Sequence, residues 1–370
     1  MKRPLVLVLG PTRTAVSGVS THLNALFGST IEREFRLLQF RVGSAGRNEN
    51  AGRRLLRLLA SPFQLAATML RLDPAILHVN TSLDHGAFWR DLAYVLVAKA
   101  LGVRVVYQTH GGALRVFGAS GRLIEPVLRR TLNWPDVVVV ISRVELEAAR
   151  ELAPRQRVVL LPNGTDCSPL VRVARAPSDP RAPLRLLYMG RLVGTKGIFE
   201  SLQAIGLLRE RGVATDLVIA GSGPEEDALR DSVRALGLAD RVSFAGAVFG
   251  ERKVQLLTEA EVMLLPSYHL EGLPYALLES MAAGQVPIVT RIGAMPDVVE
   301  QDVHGLFVPP RDPQALALAI ESLAADRARL DRMSAAARQR VATHYSVERL
   351  AGDFTALYRG LAAPASPLAA

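Results

Sequence analysis

Val262-Met263-Leu264-Leu265-Pro266-Ser267 leads into Glu271-Gly272-Leu273-Pro274-Tyr275-Ala276-Leu277-Leu278-Glu279, and this stretch decides the fold. Four consecutive apolar residues read as a strand buried on both faces, as in a parallel sheet, and Pro266-Ser267 ends it. Pro274 suits the first turn of a following helix, where its missing N–H costs nothing, and Gly284 stands where a C-terminal cap belongs. The order is strand, loop, helix. A helix that starts behind such a loop directs backbone N–H groups at whatever occupies the loop, and such a terminus attracts phosphate. Glu271 and Glu279, with seven residues between them, flank it with carboxylates that accept hydrogen bonds from hydroxyls. The implied ligand carries both phosphate and sugar.

A second junction of the same kind lies upstream. The apolar run Leu184 to Met189 precedes Gly190-Arg191-Leu192-Val193-Gly194-Thr195-Lys196-Gly197, and an amphipathic stretch from Ile198 to Leu208 follows. Arg191 offers a planar fork for phosphate oxygens, and Lys196 a compact mobile charge. Only Lys2, Lys99, Lys196 and Lys253 are lysine among 44 basic residues, so a lysine here is notable in a chain that otherwise uses arginine. Taken alone the loop reads equally well as solvated surface; beside the Glu271 loop the ligand-binding reading prevails.

Gly190-Arg191 with Lys196-Gly197, then Ala220-Gly221-Ser222-Gly223-Pro224, Phe244-Ala245-Gly246, Leu265-Pro266-Ser267 and the Glu271–Glu279 stretch together resemble the retaining glycosyltransferases of family 4. In particular the chain resembles bacterial enzymes of surface-polysaccharide assembly. The resemblance implies an α/β fold called GT-B, two Rossmann-like parallel-sheet domains facing each other across a cleft. It also implies transfer of a sugar from a nucleoside-diphosphate sugar to a hydroxyl of a glycan or lipid-linked glycan, with retention of configuration. Carried over, Arg191 and Lys196 hold the diphosphate together with Gly272 and Leu273, Glu271 contacts the donor sugar, and Glu279 binds the ribose hydroxyls. Gly221, Gly223 and Val248 are candidates for the base pocket, although all three also suit ordinary turns and packing.

The 370 residues exceed one ordinary core and fit two domains. Cys167 is the only cysteine, which excludes an intrachain disulfide and suits a reducing compartment. The short apolar run after Met1-Lys2-Arg3-Pro4 stops at Gly10-Pro11 and reads as a first strand, not a signal peptide. No segment reaches ~18 uncharged apolar residues, so the expectation is a cytoplasmic protein, with the inner face of the cell membrane as a possible station. Charge is uneven: residues 1–170 hold 22 basic and 12 acidic side chains, and the remainder 22 and 23. A basic half calls for an anionic partner.

Both halves alternate strand-like and helix-like runs, which predicts parallel sheets covered on both faces. Strands are expected at Leu5–Leu9, Leu37–Phe40, Ile76–Asn80, Val103–Gln108 and Val137–Ile141. The second half repeats them at Leu184–Met189, Asp216–Ala220, Val242–Phe244, Val262–Leu265, Pro287–Val289 and Leu306–Val308. Helices are expected at Ser20–Phe27, Arg53–Leu72, Ala87–Leu101, Leu123–Leu132 and Glu145–Leu152, and later at Asp312–Leu330. The organisation expected is an N-terminal acceptor-side domain over 1–165, a proline-rich linker over 166–183, and a nucleotide-sugar domain over 184–345. A C-terminal helix over 346–362 is expected from the resemblance to pack back on the first domain, and 363–370 is expected to be disordered.

Ser17-Gly18-Val19-Ser20 opens the first helix. Gly18 permits close approach of backbone to a phosphate at the helix end; the resemblance places it against the diphosphate, although many relatives have two adjacent glycines where this chain has Ser17 and Gly18, and a simple turn is the competing reading. His110-Gly111-Gly112 ends a strand, where ligands of such sheets bind; the resemblance puts His110 near the donor sugar, so His110 and Glu271 are the candidate catalytic residues. Asn80-Thr81-Ser82 ends another strand and suits either an acceptor contact or a turn. The histidines lack metal-ligand spacing. With Arg191, Lys196 and helix N-termini to neutralise a leaving diphosphate, neither a metal nor another cofactor is expected. Glu271 and Glu279 flank a phosphate site and read as hydroxyl binders, so no general base is assigned.

Arg53, Arg54 and Arg57 cluster at one end of an amphipathic helix, and Arg115, Arg122, Arg129 and Arg130 form a second basic group. These suit contact with an anionic membrane; the competing reading is a domain helix with its arginines in water. A sugar phosphorylase or nucleotide-sugar epimerase of the same fold is the alternative enzyme. A basic nucleic-acid-binding protein is disfavoured, because no nucleic-acid motif is present and aromatic residues are 5% of the chain. An inactive scaffold is disfavoured by intact Arg191, Lys196, Glu271 and Glu279.

Overall fold

The computed structural model describes residues 3–43, 50–111, 114–171, 179 and 181–363. Gly112, the expected tail from 364, and 172–178 and 180 within the expected linker lie outside them. The chain forms two compact units, one running to Gly164 and resuming at Val347, the other spanning Thr165–Ser346. The described start of the expected linker, Ser168–Val171, is a helical turn of the second unit.

The first unit contains strands β1 (Leu5–Gly10), β2 (Arg36–Arg41), β3 (Ile76–Thr81), β4 (Arg104–Thr109), β5 (Val137–Val140) and β6 (Val158–Leu160). They lie in the order β2-β1-β3-β4-β5-β6, all parallel. Because successive side chains alternate across a sheet, one set of β1, β3, β4 and β5 residues (Leu7, Leu77, Val105, Val138) packs under the helices on one face. The other set (Val6, Ile76, Val106, Val137) meets Leu23 and Leu26 of the helix Gly18–Leu26 and Phe354 and Tyr358 of the helix Val347–Ala362. The last helix therefore supplies half the cover of that face.

The second unit contains β7 (Leu184–Met189), β8 (Thr215–Ala220), β9 (Val242–Gly246), β10 (Val262–Leu265), β11 (Val286–Val289) and β12 (Leu306–Phe307). Their order is β12-β11-β10-β7-β8-β9, again parallel. β7 and β10 are wholly apolar at the centre of this sheet apart from Arg185, whose backbone N–H is held by the buried carboxylate of Glu261 at 3.0 Å. The chain leaves β7 towards β8 and returns to β10 on the other side, so β7 and β10 mark the point where strand order reverses. In open parallel sheets ligands bind outside the strand ends at such a point.

Several boundaries differ from the sequence expectation. The first helix begins at Gly18, two residues before the expected Ser20, because Ser17 caps it by accepting the Ser20 N–H at 3.1 Å. β6 was not anticipated; it is three half-buried residues at the sheet edge. The helix expected over Asp312–Leu330 ends at Ala325, where Asp326 leaves helical geometry (φ −122°, ψ 82°) and caps a second helix, Arg327–His344, through the Arg329 N–H at 2.8 Å. Pro274 stands just before its helix, at the cap position, and not inside the first turn.

Candidate functional site

The loops after β7 and β10 are laced together at the reversal point. The Thr195 carbonyl accepts the N–H groups of Tyr268 at 3.0 Å and His269 at 3.1 Å. Gly197 turns with φ +75° into the helix Ile198–Glu210, and a Cβ there would lie 2.2 Å from the Pro266 carbonyl oxygen, so only glycine lets the loops close. This closure brings the Lys196 ammonium onto Glu271 Oε1 as an ion pair. Ser267 Oγ lies 2.9 Å from the same oxygen. Glu271 is buried, its side chain only 8% exposed. From the loop after β11, Gly293 sits with φ +60° where a Cβ would be 2.0 Å from the Glu271 carbonyl oxygen, and Ala294 N–H reaches that oxygen at 3.3 Å. Glu271 is thus fixed from two sides.

Arg191 is placed differently from Lys196. Its backbone carbonyl accepts the Tyr188 hydroxyl at 3.1 Å, while its side chain is exposed and makes no ion pair among the described residues. One cation is neutralised in advance and the other is open to an incoming anion. Gly272 is half-buried and Leu273 buried where the loop meets the helix Tyr275–Ala282. That helix ends as expected at Gly284: the N–H groups of Gly284 and Gln285 reach back to the carbonyls of Met281 and Ser280, at 2.9 Å each.

Glu279, on this helix, accepts from Lys253 Nζ at 2.6 Å. Burial pushes the Glu279 carboxyl up and the Lys253 charge pulls it back down. Lys253 lies on the helix Gly250–Glu259, which follows the half-buried Val248. Gly221 lies against the Gly190 carbonyl and Gly223 against that of Leu192, so both close the β8 loop onto the β7 loop.

Gly18 and His110 belong to the first unit. His110 Nε2 lies 2.7 Å from Asn80 Oδ1, and Asn80 Nδ2 donates to the Leu9 carbonyl at 3.0 Å. The amide orientation makes Oδ1 the acceptor, so His110 carries its proton on Nε2 and keeps Nδ1 as a lone-pair acceptor. Asn80 thereby positions His110. His22, from the helix that starts at Gly18, packs its ring 4.6 Å from that of His110. Behind them His78 bridges Tyr358 OH at 2.7 Å and Gln108 Oε1 at 3.0 Å. Burial, reinforced by the neighbouring His78, holds His110 down to about 3; burial lowers His78 to about 4 against the opposing Gln108 hydrogen bond; His22 is lowered by burial and by both neighbours. Burial thus favours the neutral form of all three rings.

Gly293, Lys253 and the His22–His78–Tyr358 group were missed in the sequence, and Ser267 was read only as part of the Leu265-Pro266-Ser267 motif and not as a partner of Glu271. Lys253 carried a signal as one of four lysines.

Residues 18–169 match the family described as Glycosyltransferase Family 4, and residues 175–340 that described as Glycosyl transferases group 1. The chain is 31% identical to the GDP-mannose-dependent alpha-(1-6)-phosphatidylinositol monomannoside mannosyltransferase of Mycobacterium tuberculosis, over 70% of each chain. It is 32% identical to the glycogen synthase of the same organism over 66% of this chain and 58% of that one, so it spans little more than half the length of that relative. Among solved structures it resembles Anabaena Alr3699/HepE in complex with UDP-glucose, with a TM-score of 0.76, 17% identity and coverage of 96% of this chain and 99% of the other. With two parallel-sheet units and these matches along both, the fold is the two-domain α/β GT-B fold, and the chain belongs to glycosyltransferase family 4.

Proposed function

We propose that the protein is a retaining glycosyltransferase that moves a hexose from a nucleoside-diphosphate sugar to a hydroxyl of a glycan or lipid-linked glycan, in bacterial polysaccharide or glycolipid assembly. The observation that carries this reading is the joined pair of loops at the β7/β10 reversal, which sets Lys196 against Glu271 and leaves Arg191 open. In the reaction Arg191 and Lys196 neutralise the departing diphosphate, aided by the N–H groups at Gly272 and Leu273. Glu271 holds the donor sugar and Glu279 the ribose hydroxyls. The family resemblance assigns Gly18 to the diphosphate and His110 to the donor sugar, and the Nδ1 lone pair of His110 suits a hydroxyl donor. The acceptor oxygen bonds to the anomeric carbon on the face the diphosphate leaves as the carbon–phosphate-oxygen bond breaks, and the acceptor's proton passes to the departing phosphate oxygen. This reading calls on no metal ion or other cofactor. The UDP-glucose held by the Anabaena structure supports a nucleotide-sugar donor, and the glycan and glycolipid activities named for the two relatives support the acceptor class.

No helix among the described residues is long and apolar enough to cross a membrane. Peripheral contact with an anionic bilayer from the cytoplasmic side is supported instead by the helix Ala51–Leu72. It exposes Leu55, Leu59, Phe63 and Leu70 on one stripe while Leu65 and Met69 enter the core.

The test is release of nucleoside diphosphate from a panel of UDP-, GDP- and ADP-sugars by the wild type and by Lys196→Ala, with the product anomer read by NMR. Release by the wild type alone, with the donor configuration kept, supports the reading. An inverted product removes the retaining mechanism, and equal release by both proteins removes the site.

A further inference from the structure

A buried carboxyl stands behind the segment that carries His110. Glu145 lies in the first turn of the helix Arg143–Leu152, which follows β5 and so starts beside the end of β4, and it is 1% exposed. A Ser-x-x-Glu helix start ordinarily turns the glutamate back onto the N–H of the capping serine. Here Ser142 Oγ accepts the Glu145 N–H at 3.3 Å, but the carboxyl turns outward from its own helix, and Oε1 accepts the Leu114 N–H at 3.1 Å. Thr109 ends β4 immediately before His110, and its hydroxyl acts on the same carboxyl. Thr109 Oγ1 and Glu145 Oε2 are both buried, and neither completes a hydrogen bond of regular geometry among the described residues. The Leu114 N–H and the Thr109 hydroxyl are the groups that pull the carboxyl back down against its burial. One carboxyl therefore meets the chain on both sides of His110 and Gly111.

The strand end of β3 holds the same segment from the opposite direction. The His110 N–H reaches the Thr81 carbonyl at 2.9 Å, the ring reaches Asn80, and a Cβ on Gly111 would lie 3.2 Å from the Ser82 carbonyl oxygen. Cover for a sheet does not call for an ionisable group. A buried carboxyl carries a desolvation cost that an apolar side chain of similar size avoids, and it repays that cost only through the polar groups it holds. The groups held here belong to the segment of His110. We propose that Glu145 is a positioning residue for His110: its carboxyl clamps the chain before and after the imidazole, which keeps Nε2–H on Asn80 and Nδ1 open to the donor sugar. This rests on the transferase reading above and adds to it the residue that sets the imidazole in place.

Nitrogen NMR of the imidazoles in the full chain tests the clamp, with His110 assigned through His110→Gln. In the wild type the two nitrogens of His110 are expected to give well-separated signals, Nε2 protonated and Nδ1 bare. In Glu145→Ala these signals should draw together as the ring exchanges between tautomers, while those of His78, held by Tyr358 and Gln108, stay in place. Glu145→Gln keeps an acceptor for Leu114 and should restore the wild-type pattern. Thr109→Val loosens one side only and should shift His110 part of the way. UDP-glucose and GDP-mannose, compared with UDP and GDP by calorimetry, give the second readout. Glu145→Ala is expected to lose about tenfold in affinity for the sugar nucleotide that the wild type binds, and nothing for its nucleoside diphosphate. Unmoved His110 signals in both Glu145→Ala and Thr109→Val overturn the proposal. A change that His78 shares overturns it too, because Glu145 then supports the fold and not the imidazole. Equal losses for sugar nucleotide and nucleoside diphosphate have the same meaning. A wild type that binds none of the four ligands removes the transferase reading beneath it, whatever the His110 signals do.

Discussion

Lys196 and Glu271 form an ion pair across the joined β7 and β10 loops, so the compact cation of the candidate donor site is already committed before a phosphate arrives. An incoming diphosphate must share Lys196 with a buried carboxylate. Glu271→Gln keeps the shape and frees the ammonium. The expected outcome is nucleoside diphosphate binding tighter by about tenfold, or ~1.4 kcal/mol, measured by calorimetry. Sugar transfer should fall by about a hundredfold or more, because the carboxylate proposed to hold the donor sugar is gone. Weaker nucleotide binding in this variant would show that the pair assists phosphate and does not compete with it.

Lys253 holds Glu279 at 2.6 Å from a neighbouring helix. Burial already pushes that carboxyl up, so removing the ammonium favours the protonated form, a poorer acceptor for hydroxyls. Lys253→Ala should weaken nucleoside diphosphate binding by about tenfold with little effect on binding of inorganic pyrophosphate. Lys253→Arg should restore part of the loss. A Lys253→Ala protein that binds nucleotide normally would detach Lys253 from the proposed ribose contact of Glu279.

Tyr358 donates to a buried histidine 280 positions earlier, at 2.7 Å. Tyr358→Phe keeps the ring packing against Phe35 and Phe354 but leaves His78 Nδ1 unsatisfied in the core. The expected loss is about 1–3 kcal/mol of stability by chemical denaturation. An unchanged midpoint would contradict the contribution of the Tyr358–His78 hydrogen bond.

Glu145 is buried with one oxygen accepting the Leu114 N–H at 3.1 Å, and burial raises its carboxyl from 4.5 to about 7. A folded value above the unfolded one means that its contribution to stability is fully present below about 4.5 and is lost as pH rises through about 7. Glu145→Gln keeps the acceptor oxygen and removes the titration. Its melting temperature relative to wild type should therefore rise between pH 5 and pH 8; a constant difference across that range would contradict this assignment.

Most strands and both loops of the candidate site were legible because their signals are local: unbroken apolar runs, a lysine between Thr195 and Gly197, and two carboxylates at fixed spacing. β6 escaped because three residues at a sheet edge, running into Leu161-Pro162, carry no periodicity of their own. The break at Asp326 escaped because the flanking alanine- and arginine-rich sequence favours helix on both sides, and the cap shows only in its backbone angles. At the site, what went unseen was contact between distant segments. The sequence offers Glu279 but not its partner on another helix, and His110 but not the Asn80 amide that fixes its tautomer. Gly293 gave no sign, since its reason is a carbonyl of the Glu271 loop lying where a side chain would stand.

The central claim is that the β7 and β10 loops form a nucleotide-sugar site, and a thermal-shift panel of UDP, GDP, ADP, CMP and dTDP tests it most directly, on wild type, Lys196→Ala and Glu279→Ala. The account predicts that a nucleoside diphosphate stabilises the wild type and that the shift vanishes in both variants. No shift with any nucleotide, or an undiminished shift in Lys196→Ala, would contradict it.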